Sequence, residues 1–292
     1  TDGQQKAIDD IINDFKKPHP MSRLLEGDVG SGKTAVAATA TYAIIKNRPR
    51  KQNFGALQVA YMAPTEILAT QHFENFIEYF EHTGIQIGLI TSSGCRKFPS
   101  KVYGKKWTDI SRTQLLKWVA NGEIPILIGT HSLIQKSVKF KDLALVIIDE
   151  QHRFGVKQRS TLAKKENFAP HFLSMTATPI PRTLALTVYG DLDLTLLDQM
   201  PHGRKPIITK IIPPNKRDAV YEEIKTEMKN GRQLYVICPR IDEPDPEKEL
   251  SVQAKSVEAE SKRLKREIFT EAEIATLHSK VKKEAKEKIM KD

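Results

Sequence analysis

The sequence predicts an α/β fold through residues 1–199, a parallel sheet with helices on both faces, followed by an incomplete second region of the same class. Three observations predict it. Short apolar runs alternate with stretches whose apolar residues recur at three- and four-residue spacings. A glycine-rich turn separates the first run from the first such stretch. Residues with chemistry to offer follow directly after the apolar runs, where ligands bind in sheets of this kind.

In chain order, the runs predict strands at 23–26, 58–63, 85–90, 124–129, 143–149 and 171–175, and the spacings predict helices at 33–46, 66–82 and 112–120. The periodicity breaks at Met200-Pro201-His202-Gly203-Arg204-Lys205-Pro206, so residues 200–206 are expected to be a linker. Residues 207–292 form the second region, with strands predicted at 207–212, 233–238 and 274–278 and helices at 217–229, 251–267 and 280–291. The stretch 241–249 reads as an acidic loop, and no internal repeat is found.

Composition excludes several classes. The 292 residues hold 46 Lys+Arg against 36 Asp+Glu, a net charge of +10, with 39% hydrophobic and 28% charged residues. That balance belongs to a soluble globular chain, neither a disordered tail nor a fibrous repeat. No run approaches the roughly 18–20 uninterrupted apolar residues of a membrane span, and no charged-then-apolar leader opens the chain, so no membrane partner is expected. Cys95 and Cys238 are far apart and lack ligand spacing. Neither a disulfide framework nor a zinc site is expected, and a reducing cytoplasm is the expected location. Cys238 reads as a buried small hydrophobe and Cys95 as an exposed thiol. The chain opens at Thr1 rather than Met, as an excerpt of a longer protein would.

The positive charge is densest at 94–107, where Arg96, Lys97, Lys101, Lys105 and Lys106 are interleaved with Phe98, Tyr103 and Trp107 and no acid intervenes. Cations suit backbone phosphates and aromatic faces suit unstacked bases. The alternative is a solvated loop whose aromatics pack on their own domain. Trp118 falls at helical spacing and reads as core.

Gly27-Asp28-Val29-Gly30-Ser31-Gly32-Lys33-Thr34 matches the phosphate-binding pattern G-x-x-x-x-G-K-[ST], after a predicted strand and opening a predicted helix. Backbone N–H groups at Gly27, Gly30, Ser31 and Gly32 would turn onto phosphate oxygens, helped by the positive end of the helix. Lys33 would reach the β- and γ-phosphates of ATP and the Thr34 hydroxyl would hold Mg²⁺. Leu145-Val146-Ile147-Ile148-Asp149-Glu150 is a buried-type strand ending in two carboxylates. Alone, such a pair could equally cap a helix. With the phosphate loop upstream, Asp149 is expected to bind Mg²⁺ opposite Thr34 and Glu150 to deprotonate an attacking water. A phosphoryl transfer to a metabolite hydroxyl needs no such water-activating group, so hydrolysis is expected.

With Asp149-Glu150-Gln151-His152 in view, the chain resembles a superfamily 2 helicase built on RecA-like domains. Gln4 is similar to the glutamine that reads adenine in that superfamily. Pro64-Thr65-Glu66 resembles motif Ia and Gly129-Thr130-His131 resembles motif Ib, which the resemblance implies hold one DNA strand by its backbone. Thr176-Ala177-Thr178 resembles motif III; the resemblance implies that Thr176 and Thr178, with Gln151 and His152, couple ATP state to DNA grip. Within the superfamily, Ile148–Val156, 175–183 and Leu197-Asp198-Gln199-Met200-Pro201 resemble the RecG family of branch-migrating DNA helicases. The transcription-repair coupling factor is the nearest alternative, and typically carries Glu where Gln151 stands. Arg153 and Arg182, each after a motif, are expected at DNA, at the other lobe, or in surface ion pairs.

The resemblance implies an ATP- and Mg²⁺-dependent motor on branched or double-stranded DNA, acting as a monomer in recombination and repair. Nothing after Leu277-His278-Ser279 matches motifs V or VI, the latter supplying an arginine to the γ-phosphate in that family. The family's wedge domain and C-terminal hairpin have no counterpart either. These residues alone are therefore expected to bind ATP·Mg²⁺, hydrolyse it poorly and unwind nothing. A non-hydrolysing nucleotide-binding module is the third reading.

Overall fold

The computed structural model describes residues 1–49, 55–100, 106–150, 169–178, 192–199, 207–239 and 256–278, with isolated positions beyond. The chain divides into two compact units, Thr1–Lys205 and Pro206–Asp292. The linker expected at 200–206 lies outside the described residues.

The first unit is built on a nine-stranded sheet. Its elements are α1 (Asp2–Phe15), β1 (Ser22–Gly27), α2 (Lys33–Ile45), β2 (Gln58–Met62), α3 (Glu66–Phe80), β3 (Ile87–Thr91), β4 (Gly94–Phe98), β5 (Thr108–Ile110), α4 (Arg112–Ala120), β6 (Ile126–Gly129), β7 (Leu143–Asp149), β8 (His171–Thr176) and β9 (Asp193–Leu197). The strand order is β5-β4-β3-β6-β2-β7-β8-β1-β9. From β3 to β9 every neighbouring pair is parallel, so the carboxyl ends of these strands share one edge. Successive residues of each central strand feed opposite cores. Val59, Tyr61, Ile126, Ile128, Leu145 and Ile147 join one cluster with α1, α2 and α3, while Ala60, Met62, Leu127, Val146 and Ile148 join another with Leu115 and Val119 of α4. Burial on both faces is why these strands read as continuous apolar runs.

The sheet is mostly parallel, as expected, with an antiparallel addition at the β3 edge. β4 pairs antiparallel with β3 and β5 antiparallel with β4; β4 lies in the basic, aromatic segment and β5 follows directly after it. Two of the segment's cations are held within the domain. Arg96 lies 4.1 Å from the Trp107 ring and 3.6 Å from Asp109, and buried Lys97 donates to Pro99 O at 3.1 Å with Trp118 beneath it at 5.6 Å. Both tryptophans pack against the cores, so in the described part the intradomain alternative holds. Lys101 and Lys105 lie outside it. Cys95 is buried on β4 rather than exposed, and burial pushes its thiol up against the pull of Arg112. Cys238 is half-buried.

α1 was not expected as a helix. Thr1 and Gln4 close a capping box at its start, and Ala7 and Ile11 bury its inner stripe. Its last turn is held by charge. Arg23 of β1 donates to Asp14 Oδ2 at 2.6 and 2.7 Å and to Thr195 Oγ1 of β9 at 2.6 Å, and Lys17 reaches Asp14 Oδ1 at 2.7 Å. Burial pushes the Asp14 carboxyl up, but hydrogen bonds and charges from Lys17 and Arg23 outweigh it and hold the group below its ordinary 3.8.

In the second unit, α5 (Arg217–Lys229) stands where the helix at 217–229 was predicted. α6 (Val257–Arg263) occupies part of the predicted 251–267 and runs into a wider turn at Leu264–Ile268. Arg263 joins these elements, bonding Glu260 at 2.7 Å and the Tyr221 hydroxyl at 2.9 Å. The strands predicted at 207–212, 233–238 and 274–278 do not form among the described residues. A strand exists through its hydrogen-bonded neighbour; here Ile211 is 97% and Ile237 93% exposed, with no ladder beside them among the described residues.

The Asp14 cluster makes a sign-definite prediction. Arg23→Leu leaves a buried carboxylate with Lys17 alone and should lower the stability of the first unit by roughly 2–3 kcal/mol at neutral pH. Because the folded-state pKa of Asp14 is depressed, its contribution is present above the unfolded value and is lost as pH falls through the folded one. Urea titrations should therefore show the deficit at pH 7 shrinking below about pH 4.

Candidate functional site

The glycine-rich turn joins β1 to α2. Gly30 and Gly32 take φ of 79° and 91°, the left-handed region that only glycine enters freely. Gly32 is the N-cap of α2 without a side-chain cap, so the first N–H groups of the helix face the turn. Gly27 is required by close approach, since a Cβ there would meet Ser31 Oγ at 2.7 Å and Leu197 Cβ at 2.8 Å. Gln4 of α1 closes the other side, donating to Ser31 O at 2.9 Å and packing on Gly32.

Lys33 folds onto the turn, donating to Gly27 O and to Asp28 O at 2.9 Å. Half-burial lowers its pKa, opposed by the charges of Asp149, Glu150 and Asp28. Only β8 separates β1 from β7 in the sheet, so the loop and the β7 carboxylates open on one edge. Asp149 ends β7, 8% exposed. Its Oδ1 accepts from Glu150 N at 3.1 Å and its Oδ2 lies 2.7 Å from His72 Nε2 of α3. Glu150 has φ 52°, a strained conformation for a residue with a Cβ. The Tyr61 hydroxyl stands 3.3 Å from His72 Nδ1, and burial first, then the Asp149 charge, pushes this phenol well above its ordinary value.

These residues suit a nucleotide phosphate chain. The helix terminus and Lys33 supply positive potential, and the glycines leave the backbone open to approach. Ser31 Oγ is a buried hydroxyl with no hydrogen-bond partner among the described residues, a polar capacity unspent beside the turn. Two carboxylates facing a polyphosphate need a divalent cation between them, and the half-buried Thr34 hydroxyl and Asp149 are the groups for it. A cavity of about 380 Å³ opens beside the loop, but Glu26, Asp28 and Asp198 line it together with Leu196 and Leu197, which makes it a poor seat for phosphate.

Thr176 pairs in register with Glu26, next to the loop, and is buried; its hydroxyl lies 2.9 Å from that of exposed Thr178. Gln151 and His152, like Arg153 and Arg182, lie outside the described residues. The motif Ia and Ib residues sit across β7, after β2 and β6. Thr65 Oγ1 caps α3 by accepting from Leu68 N at 3.3 Å. Glu66 accepts from Ser92 N at 3.0 Å, from the Ser92 hydroxyl and from the Ser93 hydroxyl at 2.5 Å, tying α3 to the β3–β4 turn. Pro64 is half-buried, Gly129 is buried and His131 is exposed. A Cβ at Gly129 would meet Ile90 O at 2.5 Å, so this glycine serves strand packing. Thr130 begins a single 3₁₀ turn, with no side-chain cap bond. Sequence reasoning missed His72, Tyr61, Ser92 and Ser93. The one signal for His72 was a polar residue on the buried stripe of a predicted helix.

Residues 1–187 match the family model described as DEAD/DEAH box helicase. The chain is 42% identical over 287 residues to the ATP-dependent DNA helicase RecG of Synechocystis sp. (strain ATCC 27184 / PCC 6803 / Kazusa), covering 98% of this chain and 31% of that protein. It is 48% identical over 245 residues to RecG of Bacillus subtilis (strain 168), covering 84% and 33%. Among solved structures, RecG bound to a three-way DNA junction aligns with a TM-score of 0.62 and 38% identity, over 79% of this chain and 28% of that one. The chain thus spans about a third of the length of the curated relatives it matches. No described helix is long and apolar enough to cross a membrane.

The contact of Gln4 with Gly32 can be tested on stability. Gly32→Ala meets both a φ of 91° and Gln4 Nε2, whereas Gly84→Ala meets a φ of 71° and open space. Both should cost about 1 kcal/mol for the left-handed backbone. Denaturant midpoints should show a further loss for Gly32→Ala, and Gln4→Ala in the same chain should recover it.

Proposed function

Because this chain belongs to the DEAD/DEAH box helicase family, we propose that it is the ATP-binding part of an ATP-dependent DNA helicase that remodels branched DNA. The observation that supports this most is the sheet order β7-β8-β1, which opens the phosphate-binding turn after β1 and the carboxylate pair after β7 on one edge with a single strand between them. The choice of branched DNA rests on the 38–48% identity to RecG proteins, one of them solved on a three-way junction.

In this reading the N–H groups of Gly30, Ser31, Gly32 and Lys33 hold the phosphates, with Gly27 shaping the turn. Gln4, already bonded to the loop, contacts the base. Lys33 exchanges its loop carbonyls for β- and γ-phosphate oxygens, and its charge offsets the negative charge that develops there. Thr34 and Asp149 would hold Mg²⁺, which when bound would offset the charge of the phosphate oxygens. Glu150 takes the proton of the attacking water as its oxygen bonds the γ-phosphorus and the bond to the β–γ bridging oxygen breaks. Thr176 and Thr178, beside the loop, carry the nucleotide state onward with Gln151 and His152. The ends of β2 and β6 receive the DNA backbone, with Pro64, Thr65, Thr130 and His131 presenting groups and Gly129 and Glu66 holding the loops in place.

Turnover by these 292 residues alone is expected to be slow. The arginine that the family brings to the γ-phosphate has no match in this sequence, and such an arginine is worth about 10³–10⁵ in rate.

Binding of a fluorescent ATP analogue tests the reading. Lys33→Ala should weaken it roughly 10- to 100-fold through loss of a charge-assisted contact. Glu150→Gln should leave binding within about twofold and abolish residual turnover. Unchanged affinity in Lys33→Ala would sink the proposal, and brisk DNA-stimulated turnover by the unaltered chain would sink the expectation of slow hydrolysis.

A further inference from the structure

Asp149 is held by a side chain from outside every motif of the site. His72 lies on the buried stripe of α3 with Ala69, Phe73 and Phe76, and its Nε2 is 2.7 Å from Asp149 Oδ2. A carboxylate only accepts, so Nε2 carries the hydrogen and donates it. The Tyr61 hydroxyl of β2 packs beside the ring, 3.3 Å from Nδ1 and 3.4 Å from Nε2, and with the Nε2 hydrogen given to Asp149 the nitrogen left to accept from it is Nδ1. Tyr61 is fully buried, with its ring 4.7 Å from the imidazole and 5.2 Å from Phe76. Glu150 N holds the other carboxylate oxygen. Each oxygen of Asp149 offers about two lone-pair sites, so these bonds stop the carboxylate from rotating while leaving each oxygen able to accept once more.

We infer that His72 is a positioning residue that sets Asp149 for Mg²⁺, and that it makes α3 part of the metal site. The inference rests on the nucleotide-binding reading above. Mg²⁺ tolerates little departure from octahedral geometry and is bound by one or two carboxylates, so the angle of this carboxylate governs affinity. Outer hydrogen bonds of this kind are worth about 10–100-fold in metal affinity. The same helix begins at Thr65 and Glu66, about two turns from His72. A displacement at that end of α3 therefore reaches Asp149 through one rigid element and one hydrogen bond.

The test is the Mg²⁺ dependence of fluorescent ATP-analogue binding to this chain, with binding in EDTA measured alongside. His72→Leu keeps the shape of the site but cannot donate, and should need about tenfold more Mg²⁺ for half-maximal binding, with affinity in EDTA unchanged. His72→Gln restores an N–H near the Nε2 position and should return the requirement close to that of the unaltered chain. A His72→Leu chain with unaltered Mg²⁺ dependence overturns the inference. Should that variant lose its helical circular dichroism, Tyr61→Phe carries the test. It should raise the Mg²⁺ requirement about twofold by loosening the imidazole, and no change there overturns the inference equally. If the unaltered chain binds no nucleotide in either condition, the nucleotide reading has failed and takes this inference with it.

Discussion

The whole arrangement depends on seven parallel strands, β3 through β9 in sheet order, buried on both faces. Parallel strands must all be re-entered from the same end, so the chain crosses back over the sheet, through α2 after β1 and α3 after β2, and every carboxyl end opens on one edge. With both faces covered by helices, that edge is where loops meet water. The turn after β1, the carboxylates after β7 and the threonines after β8 are neighbours there because their strands are neighbours. They are far apart in sequence, and no local preference brings them together.

The edge divides at β7. On one side lie the loop that Lys33 crowns and the pair Thr176–Thr178; on the other lie the turns after β2, β6 and β3, tied by Glu66 to Ser92 and Ser93. Asp149, at the division, is bonded from both directions, by Glu150 N directly after its own strand and by His72 on the helix that starts at Thr65. A buried carboxylate left unbonded would cost several kcal/mol, so these partners are part of the fold as well as of the site. Glu150, directly after β7, holds a φ of 52° at this division.

Legibility followed burial and spacing. The central strands and α2, α3 and α4 were readable because a strand buried on both faces is apolar throughout and a helix against it shows a stripe. α4 and β7 fall at the predicted bounds. α1 was missed although Ala7, Ile8, Ile11 and Phe15 recur at helical spacing; only the charge that secures its last turn, Asp14 to Arg23, carries no period. β4 and β5 were missed because edge strands need few apolar residues, and their cations are spent on Trp107, Trp118, Asp109 and Pro99 O. The strands read at 207–212, 233–238 and 274–278 had the right composition but no neighbour to pair with among the described residues.

The sequence by itself determined the chemistry that lies within a single turn: the glycines that let the loop after β1 curl, Lys33 and Thr34 at its end, and the two acids closing an apolar run. Those depend on local backbone geometry and on residue type, which neighbours along the chain specify. Only the tertiary structure decided which of these groups meet, that Gln4 closes the loop, and that His72 rather than a motif residue holds Asp149. It also decided that Gly129 and Glu66 pack and tie rather than reach outward. The reason is that each of these contacts spans tens of residues and exists only once the strands are laid side by side.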